Sequence, residues 1–115
     1  MVVDDAKFVR QMLKHMLRES EFEVVAEAED AQEALQKYQE VKPDVVLMDI
    51  IMPDVSGIEA VRRLKAMDPQ ATIVMCSAVD QESTVMDSLD AGAADFVVKP
   101  FVPSEVLGVL RRVAS

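Results

Sequence analysis

The segment VVLMDIIMPDVSG, residues 45–57, decides the fold of this chain. Its first four residues are an uninterrupted apolar run, typical of a strand buried on both faces, and the run stops at Asp49. A proline-containing loop and Gly57 then lead into apolar residues at helical spacing, namely Ile58, Val61, Leu64 and Met67. The segment therefore predicts a buried strand, a loop and an amphipathic helix, with a carboxylate at the carboxyl end of the strand.

The same alternation of a short apolar run and a helical pattern occurs five times along the chain. The runs cover residues 1–3, 22–28, 45–48, 72–77 and 95–98. Strands joined through helices are parallel, and right-handed crossovers place helices on both faces of the sheet. The pattern predicts an α/β fold: a doubly wound, five-stranded parallel sheet with five helices in three layers, formed by residues 1–115 as a single domain.

Local signals define the helix faces and some of the helix ends. Asp30 has the position of a cap for the second helix, and Gly92 follows the end of the fourth. The helical stripes predict that Phe8, Met86 and Val102 face the core together with their apolar neighbours.

The composition excludes several classes of partner. The formal charge is -9 and no cluster of Lys and Arg forms a basic face, so direct binding to nucleic acid or to an anionic membrane is not expected. The single cysteine, Cys76, lies within an apolar run and is interpreted as a small buried hydrophobe. Because the sequence has no signal peptide and no apolar stretch of membrane-spanning length, we expect a cytoplasmic protein.

Five polar residues stand at or just past the carboxyl ends of the predicted strands: Asp4, Asp5, Asp49, Ser77 and Lys99. In an open parallel sheet these ends share one edge, which is where such folds bind ligands. Carboxylates near 4 Å repel one another by about 1 to 4 kcal/mol per pair, and a hard cation relieves that repulsion. With oxygen ligands alone in the pattern, Mg²⁺ is favoured over Zn²⁺.

This set of residues predicts phosphoryl-transfer chemistry. A carboxylate can attack phosphorus to form an aspartyl phosphate, and Asp49 is the expected nucleophile because of its central position. Lys99 would neutralise charge on the transferring oxygens, and Ser77 would donate a hydrogen bond to one of them. A phosphoryl group adds roughly -1.5 to -2 charges, enough to draw the Ser77 hydroxyl and its loop inward.

The chain resembles the receiver domain of two-component response regulators, and most of all the stand-alone chemotaxis type. The resemblance covers essentially the whole chain. It rests on the acidic pair Asp4-Asp5 and on residues 49–57, 76–78 and 98–101, which read DIIMPDVSG, CSA and VKPF.

The resemblance implies a flavodoxin-like fold with strand order 2-1-3-4-5. It also implies that Asp49 accepts phosphate from a histidine kinase. Mg²⁺ would be held by Asp5, Asp49 and the backbone carbonyl of Ile51, and Asp4 would act through water. The peptide bond that follows Lys99 is expected to be cis.

The same resemblance implies a switch. Phe96 would swing inward together with Ser77 and remodel the surface of the fourth helix, the fifth strand and the fifth helix. That surface would bind a protein target, such as a flagellar motor switch or an effector domain, and the unphosphorylated protein would be a monomer. The sequence departs from the family where Phe96 replaces a common tyrosine and Ile51 replaces a frequently polar residue. Its first strand, residues 1–3, is also shorter than usual.

The sequence pattern is also compatible with other functions. A receiver domain excised from a transcriptional or cyclase-type regulator would have the same sequence pattern. An Asp-nucleophile phosphohydrolase of the haloacid dehalogenase type would share the metal, the Asp, the hydroxyl and the Lys. Its D-x-D signature is missing, however, since Asp49 is followed by two isoleucines. A flavin carrier is disfavoured because Asp4 and Asp5 would repel the flavin phosphate.

Overall fold

The structure is a computed structural model that describes residues 1–78 and 82–114. Strands and helices alternate along the chain, as the sequence predicts. The strands are β1 (Val2–Val3), β2 (Glu27–Ala28), β3 (Val46–Asp49), β4 (Ile73–Ala78) and β5 (Asp95–Lys99). The helices are α1 (Lys7–Leu17), α2 (Ala31–Val41), α3 (Gly57–Met67), α4 (Glu82–Ala91) and α5 (Pro103–Ala114).

The five strands form one parallel sheet with the order β2-β1-β3-β4-β5. Both the fold class and the strand order expected from the sequence are thus confirmed. In the register of the sheet, Asp49 pairs with Cys76 and Ala78 pairs with Lys99. The carboxyl ends of β3, β4 and β5 therefore lie side by side at one edge.

Alternate residues of each strand pack into two separate cores. Val46 and Met48 belong to the core beneath α2, α3 and α4, whereas Leu47 belongs to the core beneath α1 and α5. This alternation is the two-fold period of a strand that is buried on both faces. It explains why the central strands consist of uninterrupted apolar runs.

The second strand is shorter than predicted. The sequence indicates a strand over residues 22–28, but only Glu27–Ala28 pairs with β1. Strand pairing requires a neighbour, and β1 begins only at Val2, whose N–H donates to the carbonyl oxygen of Ala26. In this parallel register residues 22–25 lie beyond the start of β1, so they have no residue of β1 to pair with.

Four residues predicted to face the core are exposed instead: Phe8 at 74%, Met86 at 54%, Val102 at 44% and Met67, the last residue of α3, at 37%. Phe8 lies in the first turn of α1, and Val102 just before α5, so both lie past the carboxyl edge of the sheet. Met86 follows the buried Val85, and adjacent helical residues point about 100° apart. The helical periodicity predicted which face of each helix is apolar, but it did not predict where the buried part of that face ends.

The predicted helix signals are confirmed. The Asp30 side chain accepts a hydrogen bond from the N–H of Glu33, which caps α2. Gly92 follows α4 with a φ of 118°, a left-handed conformation that disfavours other residues. The peptide bond between Lys99 and Pro100 is cis, as the family resemblance implies. Among the described residues, no helix is both long and apolar enough to cross a membrane.

Candidate functional site

Three carboxylates meet at the carboxyl edge of the sheet. One oxygen each from Asp4, Asp5 and Asp49 lies within 4.8 Å of the others. Asp4 and Asp49 are buried and Asp5 is exposed, so the cluster opens to solvent on one side. The three meet because β1 and β3 are neighbours in the sheet, although the sequence separates them widely.

The ammonium group of Lys99 lies against two of these carboxylates. Its Nζ atom is 3.2 Å from Oδ1 of Asp49 and 3.4 Å from Oδ2 of Asp4. Lys99 is the last residue of β5, and its side chain is 31% exposed, so this charge is partly shielded from solvent beside the two carboxylates. One ammonium faces three carboxylates, which leaves an excess of negative charge.

The protonation equilibria reflect this crowding. Burial, followed by the charge of Asp4, raises the pKa of Asp49, and the nearby Lys99 opposes that rise. Burial acts to lower the pKa of Lys99, but Asp49 and Asp4 outweigh it, so the net shift is upward. The raised pKa keeps the Lys99 ammonium charged at neutral pH, and an additional positive charge beside Asp49 would favour the charged form of its carboxyl group.

The donor set fits a hard divalent cation. The cluster offers carboxylate oxygens only, at spacings that one ion can bridge, and oxygen donors are those that Mg²⁺ prefers. The nearby Cys76 is not a competing ligand because burial raises the pKa of its thiol far above neutrality.

Ser77 lies in β4, one residue past the partner of Asp49 in the register. It is 2% exposed, and its Oγ atom has no hydrogen-bond partner among the described residues. A buried hydroxyl without a partner is costly, which suggests that a ligand supplies one. Residues 79–81, which follow Ala78 in the sequence and include the segment expected to move inward with Ser77, lie outside the described residues.

Phe96 lies on the same face of the sheet as Ser77. Phe96 pairs with Met75 and Ser77 pairs with Val98, so the strand alternation directs both side chains to one side. The ring is half-buried and packs against the core beneath α2, α3 and α4. It is therefore neither a fully buried core aromatic nor a free surface group.

The loop between β3 and α3 passes very close to the end of β3. The N–H of Gly57 donates to the carbonyl oxygen of Ile50 at 2.6 Å. A Cβ atom at Gly57 would come within 2.8 Å of the Ile50 Cα and would also collide with the backbone of Asp49. This approach fixes the end of the loop against Ile50, and the Ile51 side chain that follows is 65% exposed.

Two residues that the sequence analysis did not identify join separate segments of the chain. Arg10 donates to the carbonyl oxygen of Asp4 at 2.6 Å and to Oε1 of Glu27 at 3.1 Å, which ties the acidic turn to β2. Asp54 bonds to the start of α2. In the sequence, the only indication of the role of Arg10 is its position in the first turn of the helix that follows the acidic pair. Asp54 is marked only by its place in a loop.

Comparison with known proteins agrees with the fold and identifies the family. Residues 1–111 match the response regulator receiver domain family. The chain is 50% identical over 115 residues to the chemotaxis protein CheY of Listeria monocytogenes, covering 100% of this chain and 97% of the relative. It is also 50% identical over 112 residues to CheY of Bacillus subtilis, covering 97% and 93%.

Solved structures show the same similarity. The receiver domain of NtrX from Brucella abortus superposes with a TM-score of 0.92 at 28% identity, covering 98% of this chain and 95% of that one. A chain in the CheX–CheY–BeF3–Mg complex of Borrelia burgdorferi superposes with a TM-score of 0.89 at 34% identity, covering 96% and 85%.

The chain belongs to the response regulator receiver domain family. It is a phosphoacceptor signalling switch and not an enzyme that turns over a separate substrate. The comparisons favour neither the phosphohydrolase nor the flavin carrier considered above.

Proposed function

We propose that Asp49 accepts a phosphoryl group from a histidine kinase in a Mg²⁺-dependent reaction, and that a chemotaxis protein binds the phosphorylated form. The observation that carries the proposal is the position of the Asp49 carboxylate, which lies beside Asp4, Asp5 and the ammonium of Lys99. This arrangement provides a nucleophile, a cation site and a fixed positive charge at one point.

The metal site we propose consists of Asp5, Asp49 and the backbone carbonyl of Ile51, with Asp4 acting through water. When bound, Mg²⁺ would withdraw charge from the phosphoryl oxygens. A carboxylate oxygen of Asp49 forms a bond to phosphorus while the bond from phosphorus to the donor nitrogen breaks. Lys99 exchanges its contact with Asp49 for one with a phosphoryl oxygen, and its charge needs no proton transfer.

The signal passes through Ser77 and Phe96 in this proposal. The Oγ atom of Ser77, which has no hydrogen-bond partner among residues 1–78 and 82–114, can donate to a phosphoryl oxygen. Movement of Ser77 would open space for Phe96, which lies on the same face of the sheet. Phe96 also lines a groove of about 340 Å³ between β5 and α5, so its rotation would reshape the surface formed by α4, β5 and α5.

The chemotaxis assignment is supported by the relatives named CheY, which are matched over almost their full length. We propose a chemotaxis histidine kinase as the donor and a flagellar motor switch or an effector domain as the target. We further propose that residues 1–115 act as one receiver domain in the cytoplasm, monomeric before phosphorylation and without direct contact to nucleic acid. The charge of -9 is consistent with protein partners rather than nucleic acid.

Labelling with acetyl phosphate tests the proposal. We expect the protein to gain one acid-labile phosphoryl group by intact mass in the presence of Mg²⁺, and none when EDTA is added. Asp49→Asn should prevent labelling. Asp44→Asn is a matched control because Asp44 is exposed and precedes β3 at the opposite edge of the sheet. Undiminished labelling of the Asp49 variant would place the phosphoacceptor elsewhere.

A further inference from the structure

We propose that Asp54 is a positioning residue for the metal site: by capping α2 from a distance, it holds the β3–α3 loop so that the Ile51 carbonyl faces the acidic cluster. The inference rests on the proposed metal site. It assigns a role to a side chain that does not itself touch the cluster.

The contact joins two separate parts of the chain. Oδ1 of Asp54 accepts a hydrogen bond from the N–H of Ala31 at 3.1 Å, and Oδ2 accepts one from the N–H of Gln32 at 3.1 Å. These are the first two residues of α2, and N–H groups at a helix start have no partner within the helix. Asp54 therefore uses both of its oxygens to satisfy donors 23 and 22 positions earlier in the sequence.

The cap is also electrostatically favourable. A carboxylate at the start of a helix is stabilised by the positive end of the helix dipole. Burial opposes ionisation of Asp54, but the backbone N–H donors outweigh it and lower its pKa, so the side chain is charged at neutral pH. Asp30 caps the same helix at the N–H of Glu33, so two carboxylates divide the free donors of α2.

The position of Asp54 in the β3–α3 loop connects this helix cap to the proposed metal site. The loop is held at one end by β3 and at the other by the close approach of Gly57 to Ile50. Asp54 lies between these ends, three residues after Ile51, and attaches the middle of the loop to α2. A carbonyl can serve as a ligand only while its peptide keeps one orientation, and residues that orient ligands typically change metal affinity by about 10-fold or more.

Asp30 and Asp54 provide a matched pair of variants. Asp54→Ala and Asp30→Ala each remove a carboxylate cap from α2, but only Asp54→Ala releases the loop. We would titrate each folded variant with Mg²⁺ alone by calorimetry. We expect Asp54→Ala to raise the Kd for Mg²⁺ about tenfold, Asp54→Asn to give a smaller increase, and Asp30→Ala to leave the Kd within about twofold of the wild type.

A second measurement reports the coupling itself. If the loop links the metal to α2, Mg²⁺ should slow hydrogen exchange at the amides of Ala31 and Gln32 in the wild type and in Asp30→Ala, but not in Asp54→Ala. A purely structural cap would lower the stability of both Ala variants and would leave this response unchanged.

These outcomes distinguish failure of the positioning role of Asp54 from failure of the proposed metal site. If Asp54→Ala binds Mg²⁺ as tightly as the wild type, the positioning role is refuted while the metal site stands. Equal weakening by Asp30→Ala would also refute it, because loss of the α2 cap would then account for the effect. If the wild type itself binds no Mg²⁺, the proposed metal site fails first.

Discussion

The Nζ atom of Lys99 lies 3.2 Å from Oδ1 of Asp49, across 50 positions of sequence. The same ammonium is 3.4 Å from Asp4, so one cation offsets part of the repulsion within the acidic cluster. An incoming divalent ion therefore meets three carboxylates and one fixed positive charge. The opposing effects of that charge on metal binding and on phosphoryl transfer can be separated by mutation.

Replacing Lys99 with methionine should change the two processes in opposite directions. Loss of the ammonium removes a repulsion of about 1 to 4 kcal/mol toward the metal, so the Kd for Mg²⁺ should fall about fivefold or more. Phosphorylation by acetyl phosphate should slow at least about tenfold because the transferring oxygens lose a counter-charge. Calorimetry and a labelling time course measure the two effects. Lys99→Arg keeps the charge and should retain near-normal Mg²⁺ affinity; weaker Mg²⁺ binding by Lys99→Met would contradict the prediction.

Ser77→Ala should separate stability from signalling. The Oγ atom is buried without a partner in the described part of the chain, so its removal should leave the free energy of unfolding unchanged or raise it by up to about 1 kcal/mol. The variant should still accept phosphate, but the NMR signals of the Phe96 ring should no longer respond to phosphorylation.

Ser88→Ala is the matched control for Ser77→Ala. Ser88 is fully buried and donates to the carbonyl oxygen of Thr84 at 2.9 Å, so its loss should cost about 1 kcal/mol in urea unfolding. A Phe96 response that persists in Ser77→Ala would remove Ser77 from the signal path.

Gly57→Ala should damage both the fold and the site. The added Cβ would collide with the backbone at the end of β3, and main-chain atoms there cannot move without displacing Asp49. We expect a loss of about 3 kcal/mol or more in urea unfolding, together with slower phosphorylation. Gly108→Ala has open space around the new methyl group on α5 and should gain about 0.5 to 1 kcal/mol. Equal stabilities for the two variants would show that α3 can retreat.

The only tyrosine in the chain, Tyr38, predicts a pH dependence. Its hydroxyl donates to Oδ2 of Asp68 at 2.7 Å, and burial followed by that carboxylate raises the pKa of Tyr38 to about 12. Because the folded state retains the proton above the ordinary pKa of 10, this stabilisation is complete below pH 10 and is lost as the pH rises through about 12. A spectrophotometric titration of tyrosinate should show the raised midpoint.

Asp68→Asn tests the cause of that shift. The variant removes the negative charge and keeps the burial, so its tyrosinate midpoint should fall part of the way toward 10. Circular dichroism at each pH verifies that the protein is folded. A wild-type midpoint near 10 in the folded protein would contradict the prediction.

Much of the candidate site was predictable because its signals are local. Each strand ends where an apolar run meets a polar residue, and parallel strands bring those ends to one edge. The sequence therefore predicts that Asp49 and Lys99 lie together, and their side chains are in contact at 3.2 Å. The contact from Arg10 to the carbonyl oxygen of Asp4 was not predictable, since it depends on how α1 lies against the first turn.

The sequence alone determined the alternation of strands and helices, the caps at Asp30 and Gly92, and the convergence of polar residues at one edge. Those features follow from side-chain periodicity and from backbone preferences within a few residues. Only the tertiary structure decided the length of β2, the exposure of Phe8 and the bonds from Asp54 to α2. Each of these depends on which part of the chain lies alongside, and contacts between distant segments are set by packing, which no local pattern encodes.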